Sequence, residues 1–293
     1  TINYDIPNMR DYYTHIKGNG EDKVTLMVYM VGSDLESDGG AASEDIAEMA
    51  AANADNINIT LQTGGAAAWE NASISDGKTE RHIIKNGELQ NVENLGETQM
   101  TSPNTLTDFI KWSASNYPAD RYELVLWNHG GGTALGFGYD EMYPDDMLSL
   151  SQIGNALSDS GIKFDIVGFD ACLMGTIETA YMLEPYADYL VASEEYEPGT
   201  GWYYSEWLKN LSDNTSMSTV EIGKKIVEDY INGPDSSFFD SNTLSIVDLR
   251  EIPYTYSKLC EIMQQEEGVL DSRYSVISQA RYNAKSFGDG EYE

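Results

Sequence analysis

Two side chains in this sequence have types and settings that suit acyl-transfer chemistry, the thiol of Cys172 and the imidazole of His129. A thiolate attacks carbonyl carbon, and an imidazole with an unperturbed pKa of ~6.5 moves a proton near neutrality. Cys172 follows the apolar run Phe164–Phe169 through Asp170-Ala171, and His129 follows Glu123–Trp127 through Asn128. Gly130, Gly131 and Gly132 come directly after the histidine, so the backbone there can approach a ligand with its N–H groups unshielded. The amides of Gly130 and Cys172 are therefore the candidate oxyanion donors. Cys172 is read as opening the following helix, whose positive end and free N–H groups would favour the thiolate.

Each residue alone has a plainer reading, because a cysteine behind a buried strand is usually a small core residue and a lone histidine is usually a satisfied structural group. Their matching positions carry the functional reading. The other histidines are His15, in an irregular lead-in, and His82, in a β excursion, and neither is a comparable partner. Cys260 lies in the pattern Tyr256, Leu259, Cys260, Met263 and reads as helix core; two cysteines permit a disulfide but make no framework. Scattered Cys and His residues also disfavour zinc.

Positioning these groups requires strands that end on one edge. Residues 1–22 read as the lead-in, and 23–293 as a single domain, truncated or processed at its C-terminal end. Lys23–Val31 reads as a buried strand, Ser43–Ala52 as a helix, Ile57–Leu61 as a strand and Glu80–Lys85 as part of the β excursion. Ser102-Pro103 reads as a helix start with serine capping. Then come strand Glu123–Trp127, helix Ser151–Ser158, strand Phe164–Phe169, helix Thr176–Leu183 and strand Tyr189–Ala192. Right-handed crossovers make such strands parallel, so His129 and Cys172 fall on the same edge, where ligand crevices of open α/β sheets lie. Ser218-Thr219-Val220-Glu221 is a capping box for a helix closed by Asn232-Gly233-Pro234, with Leu244–Val247 as a further strand and Ile252–Met263 as a helix.

Composition bounds the partners. The chain has 293 residues, 41% of them hydrophobic, and a net charge of −32, which predicts a folded and very acidic protein. Such charge repels phosphate, so nucleic acid and anionic membrane are excluded as general partners, and cations and basic peptides are the expected ones. Between Tyr122 and Leu208, Lys163 stands alone among many carboxylates. No apolar stretch approaches the ~18 residues of a membrane span, and the opening Thr1-Ile2-Asn3-Tyr4 carries no signal core, as in a mature or excised segment.

Four segments carry a resemblance to a known family: Tyr29–Glu36 (YMVGSDLE), Leu126–Gly132 (LWNHGGG), Phe169–Gly175 (FDACLMG) and Ala192–Glu195 through Pro198–Trp202 (ASEE, PGTGW). In this order they are similar to the clostripain family of cysteine peptidases. The resemblance implies a caspase-like α/β/α sandwich with a mostly parallel central sheet, shared with legumain and gingipains. It implies a Cys/His dyad of Cys172 and His129, cleavage after arginine or lysine, and a secreted or cell-surface bacterial enzyme, expected to act as a monomer. Asp170 resembles the family's candidate acid for the P1 side chain, although an Asp there also suits an N-cap. Ser193, Glu194, Glu195 and Trp202 are the other candidate substrate-binding residues, with Glu197 a further acid of the same stretch. No third member of the dyad is apparent from the sequence.

The resemblance also raises calcium as a cofactor. Asp34/Glu36/Asp38 and Asp140/Glu141/Asp145/Asp146 supply oxygen ligands without EF-hand spacing, and the metal site is unassigned. Relatives mature by a cut between the histidine and cysteine segments, yet Asn128–Ile162 contains neither Lys nor Arg, so no such cut is expected there. The competing functions are a catalytically silent module that binds basic peptides and a peptidase of the same fold with a non-basic P1 preference.

Overall fold

In the computed structural model, which describes residues 13–233, 242–266 and 270–288, all the strands join one sheet of eight. Five parallel strands form its centre: β1 (Val24–Val31), β2 (Asn58–Gly64), β5 (Arg121–Trp127), β6 (Phe164–Asp170) and β7 (Ala187–Ala192). The order is β4-β3-β2-β1-β5-β6-β7-β8. β3 (Thr79–Lys85) and β4 (Glu88–Gly96) make an antiparallel hairpin at one edge, and β8 (Ser245–Asp248) lies antiparallel to β7 at the other.

β1 is buried along its whole length, which explains its unbroken apolar run: Leu26, Val28 and Met30 enter one core and Met27, Tyr29 and Val31 the other. Helices α2 (Ala41–Ala51), α7 (Tyr204–Asp213) and α8 (Thr219–Asn232) supply the first layer, and α3 (Pro103–Asn116), α5 (Leu150–Ser160) and α6 (Ile177–Leu183) the second. Short α1 (Ser33–Ser37) and α4 (Gly132–Leu135) follow β1 and β5, while α9 (Ile252–Glu266) and α10 (Leu270–Asn283) come last. This is the expected α/β sandwich, and the expected strands and helices lie within a few residues of their places.

Local details depart from expectation. Ser218 and Glu221 do form a capping box, but the Ser102 hydroxyl caps nothing; its carbonyl starts α3 instead. Cys260 is half-buried on a largely exposed α9, where Leu259 and Met263 face solvent, so it is not core. The mixed-polarity helix α7 escaped the strand-and-helix reading because it follows a Gly-rich turn and begins with aromatics. Residues 1–12 of the lead-in and Pro234 of the α8 stop lie outside the described residues.

Register puts the site together. Met30 pairs with Trp127, and Trp127 with Asp170, so β1, β5 and β6 stop level with one another. The chain leaves β1 toward β2 and returns to β5 on its other side, which makes the β1–β5 junction the switch point of the sheet.

Burial has a cost inside this frame. Glu123 of β5 is sealed in, both carboxyl oxygens lack a partner among the described residues, and desolvation lifts its pKa to about 8 against the pull of Arg121. A folded-state pKa above the unfolded one means that the native state holds the extra proton, so stability falls as pH climbs from ~4.5 toward 8. Glu123→Gln is expected to remove that slope and to raise the melting temperature at pH 8 more than at pH 5, as thermal melts at the two pH values would register.

Candidate active site

Three loops leave the level strand ends, and each carries one functional group. Asp34 follows β1, His129 follows β5 and Cys172 follows β6. His129 and Cys172 line one cavity of about 290 Å³, together with Leu35, Asn128, Asp170 and Glu197. An ideal Cβ on Gly130 would overlap the Cys172 carbonyl, so only glycine lets the histidine and cysteine loops approach this closely. Among the described residues, the N–H groups of Gly130 and Cys172 are taken by no backbone carbonyl.

A third polar partner is present, contrary to the sequence reading. Asp34 Oδ1 lies 2.9 Å from His129 Nε2, which engages one of the two ring nitrogens. Partial burial pushes the Asp34 carboxyl up, but its hydrogen bond and charge contact with His129 outweigh this and hold it below the ordinary carboxylate range. With the side chains 39% and 47% exposed, the pair contributes at most about 1 kcal/mol of stability, so its effect lies in orientation. Asp34→Asn is expected to lower kcat about tenfold with KM unchanged, equivalent to ~1.4 kcal/mol of transition-state stabilisation. Steady-state kinetics would show it, and an equal rise in KM would refute the orienting role.

Asn128 does the scaffolding. Its amide nitrogen donates to the Val31 carbonyl and to Ser33 Oγ, and its oxygen accepts from Tyr139 N, which ties the loop after β1 to the loop after β5. Ser33 and Leu173, each next to a reactive residue, hold left-handed backbone at φ 53° and 61°. Such conformations cost of order 1–3 kcal/mol for non-glycine residues and persist where surroundings impose them. For Leu173, its N–H donates to the Glu195 carbonyl while Gly175 N–H donates to that of Ser193.

The thiol is not at a helix start. α6 begins at Ile177 with Thr176 as its cap, so no dipole lowers the Cys172 pKa. Burial instead pushes the thiol up, and the Asp170 and Glu195 charges add to this. Glu197 N–H, 3.2 Å from Sγ, opposes the rise without cancelling it. The resting sulfur is therefore a thiol that needs a base.

Asp170 is not an N-cap either. Its buried carboxylate accepts from Trp202 N at 3.2 Å and from Tyr204 Oη at 2.7 Å, and it lines the cavity. Glu197 shares that lining. The other candidates point elsewhere: Ser193 Oγ bonds Thr243 and Glu195 O, Glu194 accepts from Ser245, and Glu195 accepts from Gly288 N. Trp202 is core, with its ring filling the space over Gly168, where an ideal Cβ would stand 2.5 Å away. It is not among the residues that line the Cys172 and His129 cavity.

Most of the seven calcium candidates are engaged by protein donors. Asp34 holds His129, Glu36 accepts from Ser43 and Glu70 N, Asp140 accepts from Met100 N and Met142 N, and Glu141 accepts from Ser37 and Ala67 N. Among the described residues no three His, Cys, Asp or Glu side chains converge as metal ligands would. These residues do not fit the ion, and no step below passes through one.

The profile of the clostripain family (Peptidase_C11) matches residues 28–286. The chain belongs to the clostripain family. It is 31% identical over 225 residues to clostripain of Hathewaya histolytica, a match covering 64% of this chain and 42% of that protein's length. Its fold is similar to that of a secreted C11 cysteine protease from Bacteroides thetaiotaomicron solved with an irreversible peptide inhibitor (TM-score 0.63, 21% identity, 78% of this chain and 67% of that one). An inactive zymogen C11 protease from Parabacteroides distasonis is also similar (TM-score 0.59, 23% identity, 78% of this chain and 62% of that one). Family and fold thus match the resemblance in the four sequence segments, and the mostly parallel sheet is the family's caspase-like architecture. No helix among the described residues is long and apolar enough to cross a membrane.

Proposed function

We propose that this member of the clostripain family is a secreted bacterial cysteine endopeptidase that cleaves after basic residues, arginine foremost. The observation that carries the reading is one cavity lined by Cys172, His129 and the buried carboxylate of Asp170. A scissile carbonyl beside Cys172 would send a long P1 side chain toward Asp170, where a guanidinium can be met by two oxygens.

The chemistry follows from the groups in place. His129 takes the Cys172 proton through the nitrogen that Asp34 leaves free, and the thiolate attacks the carbonyl carbon. The amides of Gly130 and Cys172 hold the negative oxygen of the tetrahedral intermediate. His129 then gives its proton to the leaving amine, and a water activated by the same imidazole hydrolyses the thioester. The raised thiol pKa makes the imidazole essential, because little thiolate stands ready at neutral pH.

Turnover of amide substrates scanned across P1, under reducing conditions, tests the reading. Arginyl and lysyl substrates are expected to dominate. Preference for asparagine or another neutral residue, or no turnover at all, would overturn it.

A further inference from the structure

Glu197 is the unexplained member of this cavity. Both of its carboxyl oxygens are sealed from solvent and find no hydrogen-bond partner among the described residues. Its polar contacts are with the Asp170 carboxyl and the indole N–H of Trp202, neither in full hydrogen-bonding geometry. An acid so placed should be paired with something, because an isolated buried carboxylate costs several kcal/mol. Its nearest charged neighbour is the Asp170 carboxyl, a second acid in the same cavity.

Among the described residues, the ionisable groups acting on the pair are acids, phenols and a thiol, and the His129 imidazole lines the same cavity. Cys172 comes from the β6 loop, Asp45 from α2, Tyr204 from α7 and Tyr230 from α8. Asp45 is itself buried, accepts the Trp127 indole N–H, and is pushed well up by burial and by Asp170. Glu48 and Glu44 of the same helix add negative charge near Asp45. Among the described residues, no lysine or arginine lines this cavity. Two coupled buried acids oppose each other's ionisation, so without a cation beside them the pair favours keeping one proton.

We propose that Asp170 and Glu197 share one proton in the unliganded pocket and release it when a cationic side chain enters, making Glu197 the second specificity carboxylate. This rests on the basic-P1 reading above and adds a residue and a proton to it. The balance is simple: a ligand carrying one positive charge enters, one O–H bond between the acids is broken, and one proton leaves to water. Pocket charge is the same before and after, so low-dielectric surroundings do not oppose the exchange. Burial pushes both carboxyls up, Asp170 to about 6 and Glu197 well above its ordinary value, which agrees with one proton staying on the pair near neutrality. A macroscopic titration of this kind belongs to the pair and not to one acid.

The experiment uses Cys172→Ala, which binds without cutting, and two peptides that differ only in arginine or citrulline at P1. Calorimetry at pH 6 in buffers of different ionisation enthalpy counts protons. About one proton released with arginine and none with citrulline is the expected result, and in a Cys172→Ala/Glu197→Gln background the release should vanish while arginine affinity falls about 30-fold. Arginine binding with no proton release, or unchanged release and affinity after Glu197→Gln, would overturn the proposal. Equal binding of the two peptides would instead overturn the basic-P1 reading beneath it, so the failures are distinct. On the active enzyme, KM for an arginyl amide should rise as pH falls below the titration of the pair while KM for a neutral substrate stays flat. A flat arginyl profile would count equally against the proposal.

Discussion

Cys172→Ala is expected to abolish amide hydrolysis, lowering kcat by about 10⁴-fold or more, because no other group in the cavity can form the acyl-enzyme. The replacement removes a sulfur whose bonds to the scaffold are weak, a 3.2 Å contact from Glu197 N–H and a 3.8 Å one to its carbonyl. Melting temperature should therefore stay close to that of the parent, as a structural cysteine in a packed core would not allow. The unsubstituted enzyme tells how the thiol is activated. Since burial holds the thiol above its ordinary pKa, alkylation of Cys172 by iodoacetamide should quicken as pH rises through the alkaline range. His129→Ala should abolish peptidase turnover yet leave that slow alkaline alkylation in place. Full turnover in Cys172→Ala, or rapid alkylation at pH 6, would contradict the mechanism.

Asp170→Asn is expected to lower kcat/KM for arginyl substrates by roughly 30-fold to several thousand-fold, since removing one partner of a buried ion pair costs about 2–5 kcal/mol. Asparagine keeps an oxygen that can accept from Trp202 N and Tyr204 Oη, so the loop it anchors has a means of staying in place. What the change removes is the charge. Turnover of neutral-P1 substrates should be unaffected or improved, so the measurement that decides is the ratio of arginine to citrulline activity. A uniform loss across all P1 residues would assign Asp170 to the scaffold and not to recognition.

Much of this molecule can be read along the chain. Lys23–Val31 was legible as a buried strand because a parallel strand covered on both faces must be apolar at every position, a local property. The capping box at Ser218 and Glu221 was legible for the same reason, its two partners being three residues apart. Even the meeting of His129 and Cys172 followed from sequence, because parallel crossovers bring successive strand ends to one rim.

Tertiary structure decided what those two residues work with. Glu194, Glu195 and Glu197 are alike in the sequence, yet one turns to Ser245, one to Gly288 and only the last into the cavity. Asp34 looked like an acidic-loop residue and became the partner of an imidazole 95 positions away. Trp202 offered a subsite wall and went into the core over Gly168. Periodicity constrains side chains within strands and helices, whereas the direction of a loop side chain is set by hydrogen bonds and packing to segments distant in sequence, which exist only once the chain has folded.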